Sequence, residues 1–117
     1  MMAKTCPSKV GRKDDQGKRR WDLLPWGAVE EIVKVLENGA AKYGDFDWKF
    51  VPNSRVRYFA AAMRHMVSWW NGEKLDKEDG CSHLAHAACC IIFLMHNLDG
   101  DGQQEKRASQ VSQPSRK

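Results

Sequence analysis

The run DGCSHLAHAACCIIFLMHNLD, Asp79 to Asp99, decides how the rest of the chain must be arranged. Ser82 has a side-chain oxygen of the kind that caps a helix start, and Asn97 with Asp99-Gly100 supplies a stop. Between them Leu84, Ala87, Ala88, Ile91, Leu94, Met95 and Leu98 follow helical spacing, while Ala85, Cys89, Ile92 and Phe93 fill most of the remaining circumference with further apolar groups. A helix apolar nearly all round belongs inside a domain. Its first turns nonetheless carry His83 and His86, three apart and so on one side, with Cys90 one turn further along the same stripe. A buried polar group left unpaired costs about 1–3 kcal/mol, so these imidazoles call for a hydrogen-bond partner, a metal or a substrate.

Immediately upstream, EKLDKEDG (Glu73–Gly80) reads as an acidic loop that delivers Asp76, Glu78 and Asp79 to the start of that helix. Negative charge is favourable there in any case; facing the histidines, it would make a mixed oxygen and nitrogen site for a divalent ion. Before the loop, Ser54 is expected to cap a second helix, Arg55 to about Trp70, closed by Asn71-Gly72. Its core stripe reads as Val56, Phe59, Ala60, Met63, Met66, Val67 and Trp70. A first helix should run from about Pro25, a residue suited to a first helical turn, to about Tyr43, ended by Gly44. Val29, Ile32, Val33, Leu36, Ala40 and Tyr43 make its core face, and Gly39 within it suggests a bend or a close helix contact. No stretch carries a strand signal. The fold class expected is therefore all-α, a small bundle of three main helices. Two partners cannot cover a third helix that is apolar on every side, so a homo-oligomer, dimer or tetramer, is expected to complete the core.

Length limits the 117 residues to one such domain, and charge divides them further. Residues 1–20 read as a disordered basic tail of net charge +5, residues 21–100 as the helical domain at −3, and residues 101–117 as a disordered polar tail at +2. An acidic folded part argues against a basic nucleic-acid groove, leaving only weak contact with a polyanion through the tail. Cys6, Cys81, Cys89 and Cys90 show no CxxC spacing, which points to free thiols in a reducing compartment. With no apolar signal region and no run approaching about 18 apolar residues, the reading is a cytoplasmic protein without a membrane span.

Other candidate groups lie on the first two helices. Glu30 and Glu31 are adjacent, so they project about 100° apart and cannot meet one ion without a neighbouring helix between them. Lys42, Arg57, Arg64 and His65 are cations suited to triphosphate oxygens if they converge, and Trp48, Tyr43, Trp69 or Trp70 could stack a base. Each also has a plain structural reading: packed histidines, charges serving a helix terminus, solvated arginines and core aromatics.

Five segments, RRWDLLP at 19–25, GAAKYGDFDW at 39–48, RYFAAAMRH at 57–65, WWNGEKLDKEDG at 69–80 and SHLAHA at 82–87, resemble in order the N-terminal domain of the phage dATP/dGTP diphosphohydrolases. The resemblance covers about residues 17–98. That family looks distantly similar to the all-α MazG-type pyrophosphohydrolases. The resemblance implies an oligomeric enzyme that hydrolyses purine deoxynucleoside triphosphates, dGTP or dATP, to the monophosphate and pyrophosphate with Mg²⁺ or Mn²⁺. In a phage that replaces adenine by 2-aminoadenine it would supply dGMP. On this reading His83, His86 and Glu30 are catalytic. Glu30, Glu31, Asp76, Glu78, Asp79, His83 and His86 supply the ligands of the ion, and Lys42, Tyr43, Trp48, Arg64 and His65 bind substrate. Where MazG-type enzymes carry EExxE and ExxD, this chain reads Glu30-Glu31-Ile32-Val33-Lys34 and His83-Leu84-Ala85-His86. Two rivals stand beside this reading: a phosphohydrolase releasing inorganic triphosphate, and a non-enzymatic helical assembly or regulatory protein of a phage.

Overall fold

Small side chains set the spacing of the helices. The computed structural model describes residues 9–97, so the expectations for the chain beyond Asn97 and for residues 1–8 lie outside it. Three helices form: α1 (Trp26–Tyr43), α2 (Ser54–Trp70) and α3 (His83–His96). Short 3₁₀ turns at Trp21–Leu23 and Asp47–Phe50 lead into α1 and α2. Among the described residues no strand forms beyond a single antiparallel backbone bridge between Leu75 and Ser82. None of the described helices is long and apolar enough to cross a membrane.

The helix ends follow the expected chemistry with two shifts. Ser82 caps α3, its Oγ accepting from the N–H groups of Leu84 and Ala85, and Gly44 closes α1 by donating to Ala40 O at 2.8 Å. Pro25 stands just before α1 rather than inside it, its carbonyl accepting from Ala28 and Val29. At α2 the cap position belongs to Asn53, held in the left-handed region at φ 56°, and Ser54 is the first residue of the helix, buried. Asn tolerates that conformation better than other non-glycine residues.

α3 is the element both others pack against, α2 more extensively than α1, and α1 and α2 scarcely meet. Its buried residues are His83, Ala85, Ala87, Cys89 and Cys90. Alanine and cysteine let the backbones approach closely, and the Cys89 thiol, 1% exposed, reaches the Ile32 carbonyl of α1 at 3.5 Å. At the far end of α3, Phe93 stacks on Trp48 with ring centroids 4.5 Å apart and meets Tyr58 at 5.0 Å.

Four expectations are corrected. Val56, Phe59, Met63, Met66, Val67 and Trp70 do not form the core face of α2 but its exposed side, Trp70 being 78% exposed. The side of α2 that meets α3 instead carries the buried Ala62 and the half-buried Tyr58, Ala61, His65 and Ser68, because small residues permit close approach and His65 finds polar partners there. α3 is likewise not enclosed: Leu84, Ile91, Ile92 and Met95 are exposed, Met95 by 71%. Val33 and Tyr43 of the expected α1 face are exposed too. Gly39 makes no close helix contact, since a Cβ built on it meets nothing within 4 Å.

Candidate functional site

The site begins where α2 ends. The Gly72 N–H donates to Trp69 O at 3.0 Å and the Glu73 N–H to Ser68 O at 3.0 Å, a crossed pair that closes a helix through a left-handed residue. Gly72 supplies that residue at φ 103°, a conformation costly for any side chain. The chain leaves the helix with Glu73 aimed at α3. Beyond it the loop is held shut by the Leu75–Ser82 bridge, by Asp76 N–H to Cys81 O at 2.8 Å and by His83 N–H to Lys74 O at 3.0 Å. Within the loop, Asp76 Oδ1 accepts the Glu78 N–H at 2.7 Å, and Asp79 Oδ1 accepts the Cys81 N–H at 2.9 Å. Each aspartate is thus anchored through one oxygen and offers the other.

Three imidazoles from two helices receive them. His65 of α2 and His83 of α3 point their Nδ1 atoms at each other, 2.9 Å apart. His83 Nε2 lies 2.7 Å from Glu73 Oε1; since a carboxylate only accepts, that nitrogen carries the proton and Nδ1 of the neutral ring is a bare lone pair. The ring of His65 stacks on His86 at 4.4 Å and 8°. His86 Nε2 donates to Asp79, 2.9 Å from Oδ2 and 3.2 Å from Oδ1. Asp76 Oδ2 stands 3.9 Å from both His65 Nδ1 and His86 Nε2. Two sets therefore have ligand atoms all within 4.8 Å of one another: His65, Asp76 and His83, and Asp79, Cys81 and His86.

Burial and neighbouring charges act on these groups in different directions. Burial, reinforced by His86 and His83, lowers the His65 pKa below its ordinary 6.5, and its Nδ1–H is the donor that meets the bare Nδ1 of His83. The hydrogen bond from His83 is the main cause holding Glu73 below 4.5. For Asp79 burial acts upward, yet the Cys81 N–H and His86 together leave it below 3.8. Burial followed by the Asp79 charge raises the Cys81 thiol. Cys89, pushed up to about 12 by burial, and Cys90, raised for the same reason, are packing groups rather than nucleophiles.

Of the residues expected to bind metal, Asp76, Asp79, His83 and His86 come together here. Glu78 contributes its backbone and leaves an exposed side chain. Glu31 is paired with Lys34 at 3.2 Å and lies close enough to Cys81 to raise its pKa, outside both ligand sets. Glu30 is exposed on α1. Of the residues expected to bind substrate, His65 sits inside the cluster, with exposed Arg64 beside it in the chain. Lys42 and Tyr43 lie at the exposed end of α1, the ammonium 5.3 Å from the ring centroid. Trp48 packs on Phe93 and His96, at the opposite end of α3 from His83 and His86. Sequence reasoning missed Glu73 and Cys81. The Asn71-Gly72 helix stop, which fixes the exit direction, was the available signal for Glu73; nothing in the pattern singled out Cys81.

Residues 8–107 match the family described as dATP/dGTP diphosphohydrolase, N-terminal. The chain belongs to this family. A dATP/dGTP diphosphohydrolase of Salmonella phage PMBT28 is 31% identical to it over 105 residues, covering 90% of this chain and 36% of the relative. The diphosphohydrolase N-terminal domain seen here thus spans about a third of the length of the curated relative it matches. No solved structure matches the chain.

Proposed function

We propose that this domain holds a divalent cation at the histidine and aspartate cluster and serves the hydrolysis of dGTP or dATP to the monophosphate and pyrophosphate. The observation that carries the reading is the convergence of His65, His83 and His86 with Asp76 and Asp79 from α2, the loop and α3. The donor set fits a cation: a buried lone pair on His83 Nδ1 faces a second ring nitrogen, and Glu73 accepts from the outer nitrogen of His83 in the way carboxylates behind metal-binding histidines orient the ring. When bound, such an ion supplies charge for polarising phosphate oxygens and acidifying an attacking water. Glu73 keeps the His83 ring in one tautomer, the backbone N–H groups of Glu78 and Cys81 fix the orientation of Asp76 and Asp79, and exposed Arg64, next to His65 in the chain, would serve phosphate oxygens. Mg²⁺ and Mn²⁺ are the ions the family resemblance suggests, and dGMP for 2-aminoadenine DNA is the use it suggests for the product.

Incubating the purified chain with dGTP, dATP or dCTP and Mg²⁺ or Mn²⁺, then separating the products, tests this. The expected outcome is purine monophosphate and pyrophosphate. Inorganic triphosphate with the nucleoside would replace it by the rival phosphohydrolase, and no product from any nucleotide would end the enzymatic reading of this chain.

The same reading includes pairing with a second copy of the domain. On α3 Leu84, Ala88, Ile91, Ile92 and Met95 follow i, i+4, i+7, i+8, i+11 without a charge among them, and α2 carries a matching outer stripe. Such stripes of large exposed apolar groups are the kind of surface that marks an interaction site.

A further inference from the structure

Resting on the cation reading above, we infer that the cluster is built for two adjacent ions of the imidazole- and thiolate-binding transition series (Mn²⁺, Fe²⁺, Co²⁺, Ni²⁺ or Zn²⁺), the first on His65, His83 and Asp76 and the second on His86, Asp79 and Cys81. Nitrogens 2.9 Å apart have the separation of neighbouring ligands on one ion, since metal–nitrogen bonds of about 2.0–2.1 Å meeting near a right angle put them about 3 Å apart. Asp76 is turned to serve both positions. Its Oδ1 is taken by the Glu78 N–H, and its Oδ2 is equidistant, at 3.9 Å, from His65 Nδ1 and His86 Nε2. The stack of His65 on His86, 4.4 Å between ring centroids, keeps the two sets side by side. Cys81 joins the second set directly. Its N–H binds Asp79 Oδ1, and Asn38 Nδ2 of α1 donates to its sulfur at 3.3 Å. On binding, the thiol loses its proton to solvent as a sulfur–metal bond forms, and His65 and His86 shift their ring proton to the nitrogen turned away from the ion, with no change in oxidation state. Three imidazoles and a thiolate suit borderline ions, whereas Mg²⁺ favours an oxygen shell that this cluster does not offer.

The test is a Co²⁺ titration of the full chain after chelator treatment, read by visible absorption and by metal content after desalting. Two ions per chain are expected, with a near-ultraviolet sulfur-to-cobalt band, and a tenfold molar excess of Mg²⁺ should displace neither. Cys81→Ser should abolish the band and weaken the second ion at least tenfold while the first remains. Asp79→Asn should weaken the second ion in a chain that keeps its thiol, and His65→Gln should remove the first. One ion only, a spectrum without the sulfur band, a band that survives in C81S, or displacement by Mg²⁺ would overturn the inference. Nucleotide hydrolysis in Mg²⁺ alone by a chain that ignores Co²⁺ would sink it and leave the proposed function standing; two bound ions without hydrolysis would do the reverse.

Discussion

The two sides of α2 differ in the opposite sense from what their composition suggests. The side rich in large apolar groups, Val56, Phe59, Met63, Met66, Val67 and Trp70, faces outward, and the side with Ala61, Ala62, His65 and Ser68 meets α3. Hydrophobic area alone does not choose which face is buried within the chain. Close backbone approach over alanines and the pairing of His65 with His83 and His86 choose it here, and the larger apolar stripe stays exposed.

Substitutions a few residues apart on these helices should separate the two roles. Phe59→Glu on α2, or Ile91→Glu on α3, should weaken self-association by on the order of 100-fold or more, since a charge buried without a partner is costly. Light scattering after size exclusion should report the lower mass, with helicity unchanged by circular dichroism; an unaltered mass would remove the stripe from the interface. Ala62→Leu, on the inner side, should cost about 1–3 kcal/mol in chemical denaturation through overpacking against α3. A neutral result there would mean that α2 and α3 are not held as described.

The inner face should also be the more sensitive to acid. His65 has a folded pKa below 6.5, so the unfolded chain binds more protons in the window beneath that value, and stability falls as pH drops through it. Glu73 and Asp79 have folded pKa values below 4.5 and 3.8, so the stability they supply is complete above those values and is lost as pH falls below them. Melting temperature should therefore decline in two stages, and His65→Gln should flatten the first while leaving the second. A melting temperature that rises on acidification from pH 7 would contradict this. The smallest effect is expected at Gly39, half-buried in α1 with open space around its Cα: Gly39→Ala should stabilise by about 0.5–1 kcal/mol, measured by thermal melting.

Periodicity made α1 and α3 legible almost to the residue, because in both the apolar spacing and the terminal signals at Gly44 and Ser82 agree. α2 had its length legible and its orientation hidden: the choice between two plausible faces depends on His83 and His86, on another helix. The same distance effect governs the site. Asp76, Asp79, His83 and His86 are close in sequence and readable as a group, whereas His65 reads as a phosphate contact until the fold brings it to His83. Glu73 and Cys81 owe their places to backbone hydrogen bonds around Gly72 and the Leu75–Ser82 bridge, which side-chain patterns do not encode. Trp48, read as a base-stacking group, packs on Phe93 because the Asp47–Phe50 turn lays it over the last turn of α3.

His65 is the one imidazole of the cluster that does not belong to α3. Any occupant gripping it together with His83 would act as a clasp between α2 and the helix it leans on, while α1 stayed free to adjust. Amide exchange along the middle of α2 should then slow when the clasp is fastened, and the far side of the molecule should scarcely notice.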